Sequence, residues 1–337
     1  MNVMALTTGK WAPASRFRVR ELIPYLARQG VDLTEKIPLI PAYPPRNYLL
    51  RPPWLAAATL ARIPAAIMSR KADVIFFQRE LVSTLLTLEP FFKKPKVLDV
   101  DDAIHLSQRF KSVERLAGQC DMVICGNTYL AEKFSQWNQN IRILPTGVDT
   151  HRYQKRAVQK VDDAQTIGWI GTSSNLHYLL DIETALAKVL EVKKNVRLVI
   201  VSDQAPAFKL IDSKRVQFVK WAADIEPELI NSFSIGIMPL TDGEWARGKC
   251  SFKLLQYYAC GIPAVVSPVG MNAQVVAQAD AALAASSQKD WVDSLILLLD
   301  DRVEAERRGM QGRHLVENIY SLDTIAPRLA SYFRELV

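Results

Sequence analysis

Cysteine and histidine are scarce in this 337-residue chain, four of each. The cysteines, Cys120, Cys125, Cys250 and Cys260, reach neither the density of a disulfide scaffold nor a Cys-x-x-Cys zinc spacing, so both kinds of small stapled domain are excluded. Reduced thiols in a cytoplasm are the expectation. Long apolar runs are missing too. The longest uncharged stretch, residues 254–279, is interrupted by Gln256, Gly261, Pro263, Pro268, Gly270 and Asn272, whereas a membrane span needs roughly 18 consecutive apolar residues. The opening nine residues lack the charged start and apolar core of a secretory signal. Repeats and low-complexity tracts are absent. The net charge of +7 suits an anionic partner, phosphorylated substrate or lipid surface. Nucleic acid is ranked out, because no helix-turn-helix, zinc-finger or aromatic RNA-binding motif accompanies that charge.

Hydrophobic residues make up 49% of the chain and charged ones 23%, the balance of a soluble globular protein. Its length exceeds one ordinary core and suits two α/β domains of roughly 150 residues each. Short β-branched runs alternate with helical periodicity throughout, at VIFF, VLDV, MVIC, TIGWI, RLVIVS, SIGIM and AVV, which predicts buried parallel strands with helices on both faces. The expected boundaries are an N-terminal domain 1–153, a polar linker 154–165, a C-terminal domain 166–320 and a final helix 321–337 crossing back to the first domain.

Residues 247–270, RGKCSFKLLQYYACGIPAVVSPVG, organise the rest. Phe252, Leu255, Tyr258 and Ala259 recur at helical spacing, and the Gly-Ile-Pro after them ends the helix. A loop with Gly248, Lys249 and Ser251 feeds the helix N-terminus, where backbone N–H groups and the positive dipole end favour a phosphate. Arg247 precedes it with a fork that matches phosphate oxygens.

The segment LLQYYACGIPAVVSPVG resembles the LLEAMACG(V/I)PVV(A/S)-type stretch of GT-B glycosyltransferases, glycosyltransferase family 4 in particular. The (I/F)xQRE-like, D(F/V)DDAI(W/H)-like and PxGVD-like elements, here at residues 78–80, 99–105 and 145–149, resemble the same family. This resemblance implies two Rossmann-like domains facing each other across a cleft and a sugar nucleotide-dependent transferase, retaining at the anomeric carbon. It implies no cofactor and no metal, the nucleotide-diphosphate sugar being a co-substrate. The family's Glu-x7-Glu pair falls by register on Gly248 and Gln256, so both carboxylates are missing. Gln256 still offers an amide to a ribose hydroxyl, and Lys249 and Lys253 offer charge to the diphosphate. Gly171, Thr172 and Ser173 stand where family members carry a basic pair for the diphosphate. Their hydroxyls and N–H groups can serve phosphate, while Ser174 or Asn175 can equally cap the next helix. Donor binding is therefore expected from Gly171, Thr172, Ser173, Arg247, Lys249, Ser251, Phe252, Lys253 and Gln256.

In the first half, Ser15, Arg16 and Arg18 are expected in the loop after the first strand, as in the family's SSR(Y/F)RV-like segment. Arg16, Arg18 and Arg79 are the expected acceptor-binding residues, and Glu80, Asp101 and Asp102 the expected catalytic ones. Paired carboxylates after a strand can bind a metal, act as a base, orient an acceptor hydroxyl or cap a helix. Residues 51–71 read as an apolar helix with basic ends, kinked at Pro64, able to rest on an anionic bilayer or to pack inside the first domain. The resulting expectation is a glycosyltransferase acting on a saccharide or polyprenyl-linked acceptor in cell-envelope or exopolysaccharide assembly, cytoplasmic or peripheral on the inner membrane face. A nucleotide-sugar epimerase of the same form and a catalytically silent nucleotide-binding partner are the alternatives.

Overall fold

The computed structural model describes residues 1–107, 111–155 and 165–337. The chain divides into two compact units. One comprises Met1–Gly147, Arg247–Cys250 and Leu322–Val337, the other Val148–Ala246 and Ser251–Ser321.

The first unit is built on β1 (Asn2–Leu6), β2 (Asp32–Lys36), β3 (Val74–Phe77), β4 (Lys96–Val100), β5 (Met122–Cys125) and β6 (Ile141–Ile143). These run parallel in the order β2-β1-β3-β4-β5-β6. β3, β4 and β5 are buried along their whole length, as strands covered on both faces must be. The last helix, Leu322–Arg334, lays Leu322, Ile325, Leu329 and Phe333 on this sheet, with the Phe333 ring edge-on to Phe76 at 5.3 Å. Burying a side chain of that size contributes about 1.5–3 kcal/mol, so the end of the chain is part of the first core.

The second unit holds β7 (Gln165–Ile170), β8 (Val196–Ser202), β9 (Val216–Lys220), β10 (Ile235–Met238), β11 (Ala264–Val266) and β12 (Ala282–Ala284). All are parallel, in the order β12-β11-β10-β7-β8-β9. Its core centres on Trp169, Leu186, Leu198, Ile237 and Leu295. In each sheet the order reverses once, between β1 and β3 and between β7 and β10. Open α/β sheets leave a ligand crevice outside the carboxyl ends of the strands at such points.

Of the linker expected over 154–165, residues 156–164 lie outside the described residues. Tyr153 already belongs to the second unit and is fully buried there. Asp149 fixes the preceding corner by accepting the N–H groups of His151 and Arg152 at 3.0 and 3.1 Å. Residues 51–71 form two helices, Arg51–Leu60 and Ile63–Met68, because Pro64 can open a helix but not continue one. Arg62 is not a basic end of that segment. It is buried, donating to the carbonyls of Lys36 and Thr7.

Candidate functional site

In the second unit, Gly171 ends β7 at the switch point, and Lys253 in the first turn of helix Phe252–Ala259 lies on it. The Lys253 ammonium stands 4.8 Å from the centre of the Trp169 ring. A Cβ on residue 171 would meet Lys253 Cε at 2.7 Å and Nζ at 2.8 Å. Only glycine lets the lysine rest there, with its cation held by the indole face. A positive charge thus sits on a turn where ligands of this fold class enter.

The rest of the turn departs from expectation. Ser173 donates its N–H to Asp203 Oδ1 at 2.6 Å and its hydroxyl to Asp203 Oδ2 at 2.7 Å. The hydroxyl bond first, and then the amide bond, hold the Asp203 carboxyl below the usual carboxylate range. The turn does bind an anion, but the anion is the protein's own carboxylate, which a phosphate on Ser173 must displace. The Thr172 hydroxyl pairs with Ser174 and accepts from the Asn175 side chain. Neither Ser174 nor Asn175 caps the helix that follows.

Ser251 adopts a left-handed φ of 52° before helix Phe252–Ala259, and its hydroxyl donates to Asn272 Oδ1 at 2.6 Å instead of capping that helix. Phe252 is half-buried at the helix start. Gln256 does not offer its amide to a ribose. It is 3% exposed, and its Nε2 donates to Tyr153 Oη at 2.9 Å and to Glu226 Oε1 at 3.2 Å. Tyr153 in turn donates to Glu226 Oε2 at 2.6 Å, and the Trp221 indole donates to Glu226 Oε1 at 3.2 Å. A buried glutamate is held by three donors, and Gln256 is one of them.

Arg247 and Lys249 belong to the first unit, whereas Lys253 belongs to the second. The segment Arg247–Cys250 packs with the first unit. Asn127, at the end of β5, donates its side-chain amide to the carbonyls of Arg247 and Lys249 at 3.2 and 3.0 Å, and accepts the Leu130 N–H at 2.9 Å as a helix cap. Cys250 Sγ donates to the Asp101 carbonyl at 3.1 Å. Gly248 is pressed on Ala103, where a Cβ would stand 2.6 Å from Ala103 Cβ and 2.9 Å from its backbone nitrogen. No side chain fits at 248. The missing first glutamate is therefore a consequence of packing.

This segment brings Lys249 to the paired carboxylates. Burial pushes the Asp102 carboxyl above its ordinary value, and the charges of Lys249 and Arg79 pull it back. Asp102 Oδ1 also accepts the Ala103 N–H at 3.0 Å, a local bond at the start of the DDAIH segment. Arg79, at the end of β3, has a left-handed φ of 85° and reaches Asp101 Oδ1 at 3.5 Å. A non-glycine residue in that region carries strain of about 1–3 kcal/mol, and such strain collects at functional sites. Glu80 is buried beside it and accepts the Thr84 N–H at 2.9 Å.

The placement of two expected acceptor residues, Arg16 and Arg18, is corrected. Ser15, Arg16 and Arg18 lie in a helix, Pro13–Arg18, and not in a loop. Arg18 is 3% exposed, with its guanidinium gripping both Asp99 oxygens and donating to the Leu144 carbonyl at 2.8 Å. It is a core ion pair, taken out of the acceptor set because a buried guanidinium held on three sides has no face for a ligand. Arg16 is half-buried, bonded to Glu21 at 2.7 Å and stacked on Phe17. Ser15, Thr8 and Gln78 form a buried polar cluster at the switch point of the first sheet. The role of Asn127 had no signal in the sequence beyond a Gly-Asn turn. Among the described residues, no group of three or more His, Cys, Asp or Glu side chains is placed to hold a metal ion.

Two parallel six-stranded Rossmann-like sheets with this strand order are the GT-B fold. Residues 164–301 match the family model described as glycosyl transferases group 1, so the second unit carries a domain of that family on a chain with the GT-B fold. No curated protein sequence matches. Among solved structures, Anabaena HepE in complex with UDP and glucose is similar at 15% identity and a TM-score of 0.74, with 100% of each chain covered. Sucrose-phosphate synthase from Thermosynechococcus elongatus is similar at 14% identity and a TM-score of 0.72, covering 99% of this chain and 98% of that one. WaaG, a glycosyltransferase involved in lipopolysaccharide biosynthesis, is similar at 15% identity and a TM-score of 0.69, with 99% of each chain covered.

Proposed function

We propose that this chain transfers a sugar from a nucleotide-diphosphate sugar to a saccharide or polyprenyl-linked acceptor of cell-envelope or exopolysaccharide assembly, with retention at the anomeric carbon. The observation that carries the reading is Lys253 lying on the Gly171 turn at the switch point of the second sheet. HepE, of the same fold, is described in complex with UDP and with UDP-glucose, which supports a nucleotide-sugar donor.

In this reading Lys253 stabilises the charge that grows on the leaving diphosphate. Thr172 and Ser173 join it once Asp203 yields, and the backbone at Ser251 and Phe252 supplies the positive end of a helix. Arg247 and Lys249 belong to the first unit, where Lys249 offers a cation to Asp102. Asp101 and Asp102 serve the acceptor hydroxyl, with Asp102 as the carboxyl that burial raises above its ordinary value against the pull of Lys249. Arg79 and Arg16 orient the acceptor, and Glu80 shapes the loop that presents Arg79. The proposal invokes no metal and no cofactor.

A lipid-linked acceptor and a peripheral membrane position draw support from residues 37–71. Leu39, Tyr48, Leu49, Leu60 and Ile67 are each more than half exposed there, among the exposed Arg46, Arg51 and Lys71. Among the described residues no helix is long and apolar enough to cross a membrane. Such a surface suits the boundary between headgroups and acyl chains.

Titration with UDP-, GDP- and ADP-sugars, followed by assay with and without a polyprenyl-linked saccharide, tests the reading. Binding of one donor with sugar release only in the presence of acceptor is the expected result. Product from donor alone would make the chain an epimerase, and tight binding without turnover would make it a silent partner.

A further inference from the structure

We propose that the second unit carries a separate binding site for an uncharged saccharide, in the cavity at the carboxyl ends of β10, β11 and β12. The cavity has a volume of about 430 Å³ and is lined among others by Tyr178, Asp181, Thr241, Asp242, Ser286 and Trp291. That volume lies within the roughly 300–1,000 Å³ range of small-molecule sites.

The lining decides the chemistry of the ligand. It contains two carboxylates, three serine or threonine hydroxyls besides Thr241, and no lysine, arginine or histidine. Carboxylates only accept hydrogen bonds, while hydroxyls donate and accept, the combination that meets a ring of sugar hydroxyls. Tyr178 and Trp291 supply apolar surface for the carbon skeleton. An anion is disfavoured twice over. The helix that begins beside the cavity, Gln288–Asp300, already has a carboxylate at its start, since Asp290 accepts the Ser286 and Ser287 N–H groups at 3.1 and 2.9 Å while Ser287 Oγ accepts the Asp290 N–H at 3.1 Å. With no basic side chain in the walls, neither feature that draws phosphate is present. The diphosphate of a donor belongs with Lys253.

The walls are fixed in advance. Asp181 accepts the Thr241 hydroxyl on its side chain and the Gln288 amide on its carbonyl at 2.8 Å, and Gln288 accepts the Ala185 N–H at 2.9 Å. Across the cavity the Leu240 N–H donates to Ser267 Oγ at 3.0 Å. Preorganised polar groups of this kind lower the ordering cost of a weak ligand. The inference takes its choice of a sugar from the transferase reading, and the cavity would anchor a saccharide apart from the donor.

The test is a calorimetric titration of the full chain with a panel of uncharged methyl glycosides and disaccharides, with UDP titrated in parallel. At least one glycoside should bind. Ser286→Trp, at an exposed rim position, should fill the cavity and weaken that binding tenfold or more while leaving UDP affinity unchanged. Asp242→Ala, also exposed, should weaken it without filling anything. No binding across the panel, binding indifferent to both variants, or preference for a sugar phosphate or a divalent cation would overturn the inference. Loss of UDP binding alone, with glycoside binding intact, would instead defeat the donor reading and leave this site standing.

Discussion

Restoring the first glutamate of the Glu-x7-Glu pair at Gly248 is an obvious repair, and the structure says that it must fail at the first atom added. Gly248→Ala places a Cβ 2.6 Å from Ala103 Cβ, 2.9 Å from Ala103 N and 3.1 Å from its Cα. Two of those three atoms are backbone and cannot swing aside. Overpacking of this kind costs about 1–3 kcal/mol, which for a unit of this size lowers the melting temperature by roughly 2–12 °C. Gly248→Glu should cost at least as much, and should not raise transferase activity. Differential scanning calorimetry reads the first effect, and initial rates with the preferred donor read the second. A control separates steric from electrostatic causes: Ala103→Gly in the Gly248→Ala background removes the 2.6 Å contact and leaves the two backbone ones, so recovery should be partial. An unchanged melting profile for Gly248→Ala, or a more active Gly248→Glu, would refute the argument that packing excludes a side chain here.

Gln256→Glu should place a second carboxylate where Gln256 now meets Glu226 Oε1 at 3.2 Å, a repulsion of about 5 kcal/mol at an effective dielectric of 20 before the pair shares a proton. The new carboxyl is raised above its ordinary value of about 4.3, so the loss is absent below that pH and grows as pH rises through the raised value; denaturant melts at low and neutral pH that show equal losses would contradict this. Lys253→Ala should weaken UDP binding tenfold or more while Lys253→Arg retains most of it, read by calorimetry, and an unchanged affinity in Lys253→Ala removes the residue from the donor site. Lys249→Gln should move the acid limb of the pH–rate profile upward, because Lys249 is the foremost charge opposing the burial that raises Asp102; a limb that stays put takes Asp102 out of the chemistry. Arg18→Met should destabilise the first unit by about 3–5 kcal/mol by leaving Asp99 buried without its ion-pair partner, measured by denaturant unfolding.

The alternation of β-branched runs with helical periodicity was legible because it is a local property, and each of VIFF, VLDV, MVIC and AVV lies in a fully buried parallel strand. Motif register was legible in the same way, since it placed Lys253 in the first turn of a helix whose start faces a glycine turn. What the sequence does not carry is the partner of a polar side chain when that partner lies far along the chain. Arg18 and Asp99 are 81 residues apart, and Gln256 and Tyr153 are 103 apart. A residue type at a motif position names a capacity to bond and leaves open whether protein or ligand uses it. Ser173 shows the point most plainly, since its hydroxyl and amide do grip an anion, and that anion is Asp203.

The two missing glutamates raise the question of how the chain accommodates their absence, and the structure answers it separately at each position. Loss of a catalytic carboxylate without further change leaves a cavity or an unanswered donor. Here the gap at 248 is closed by the backbone at Ala103, to within the distance at which even a methyl group collides, and Asn127 pins the flanking carbonyls of Arg247 and Lys249. At 256 the neutral amide is what a neighbouring buried carboxylate demands, for Glu226 takes hydrogens from Tyr153, Trp221 and Gln256 together, and a glutamate there would face it charge to charge. Each departure is matched by a partner in its own unit. Meanwhile Lys249 is delivered to Asp102, so a cation and a raised carboxyl stand together in the first unit without help from either missing glutamate. A folded chain keeps its buried polar groups paired for stability alone, so the packing at 248 and the network at 256 account for the two departures, and the proposed chemistry rests on the cation and carboxyl at 249 and 102.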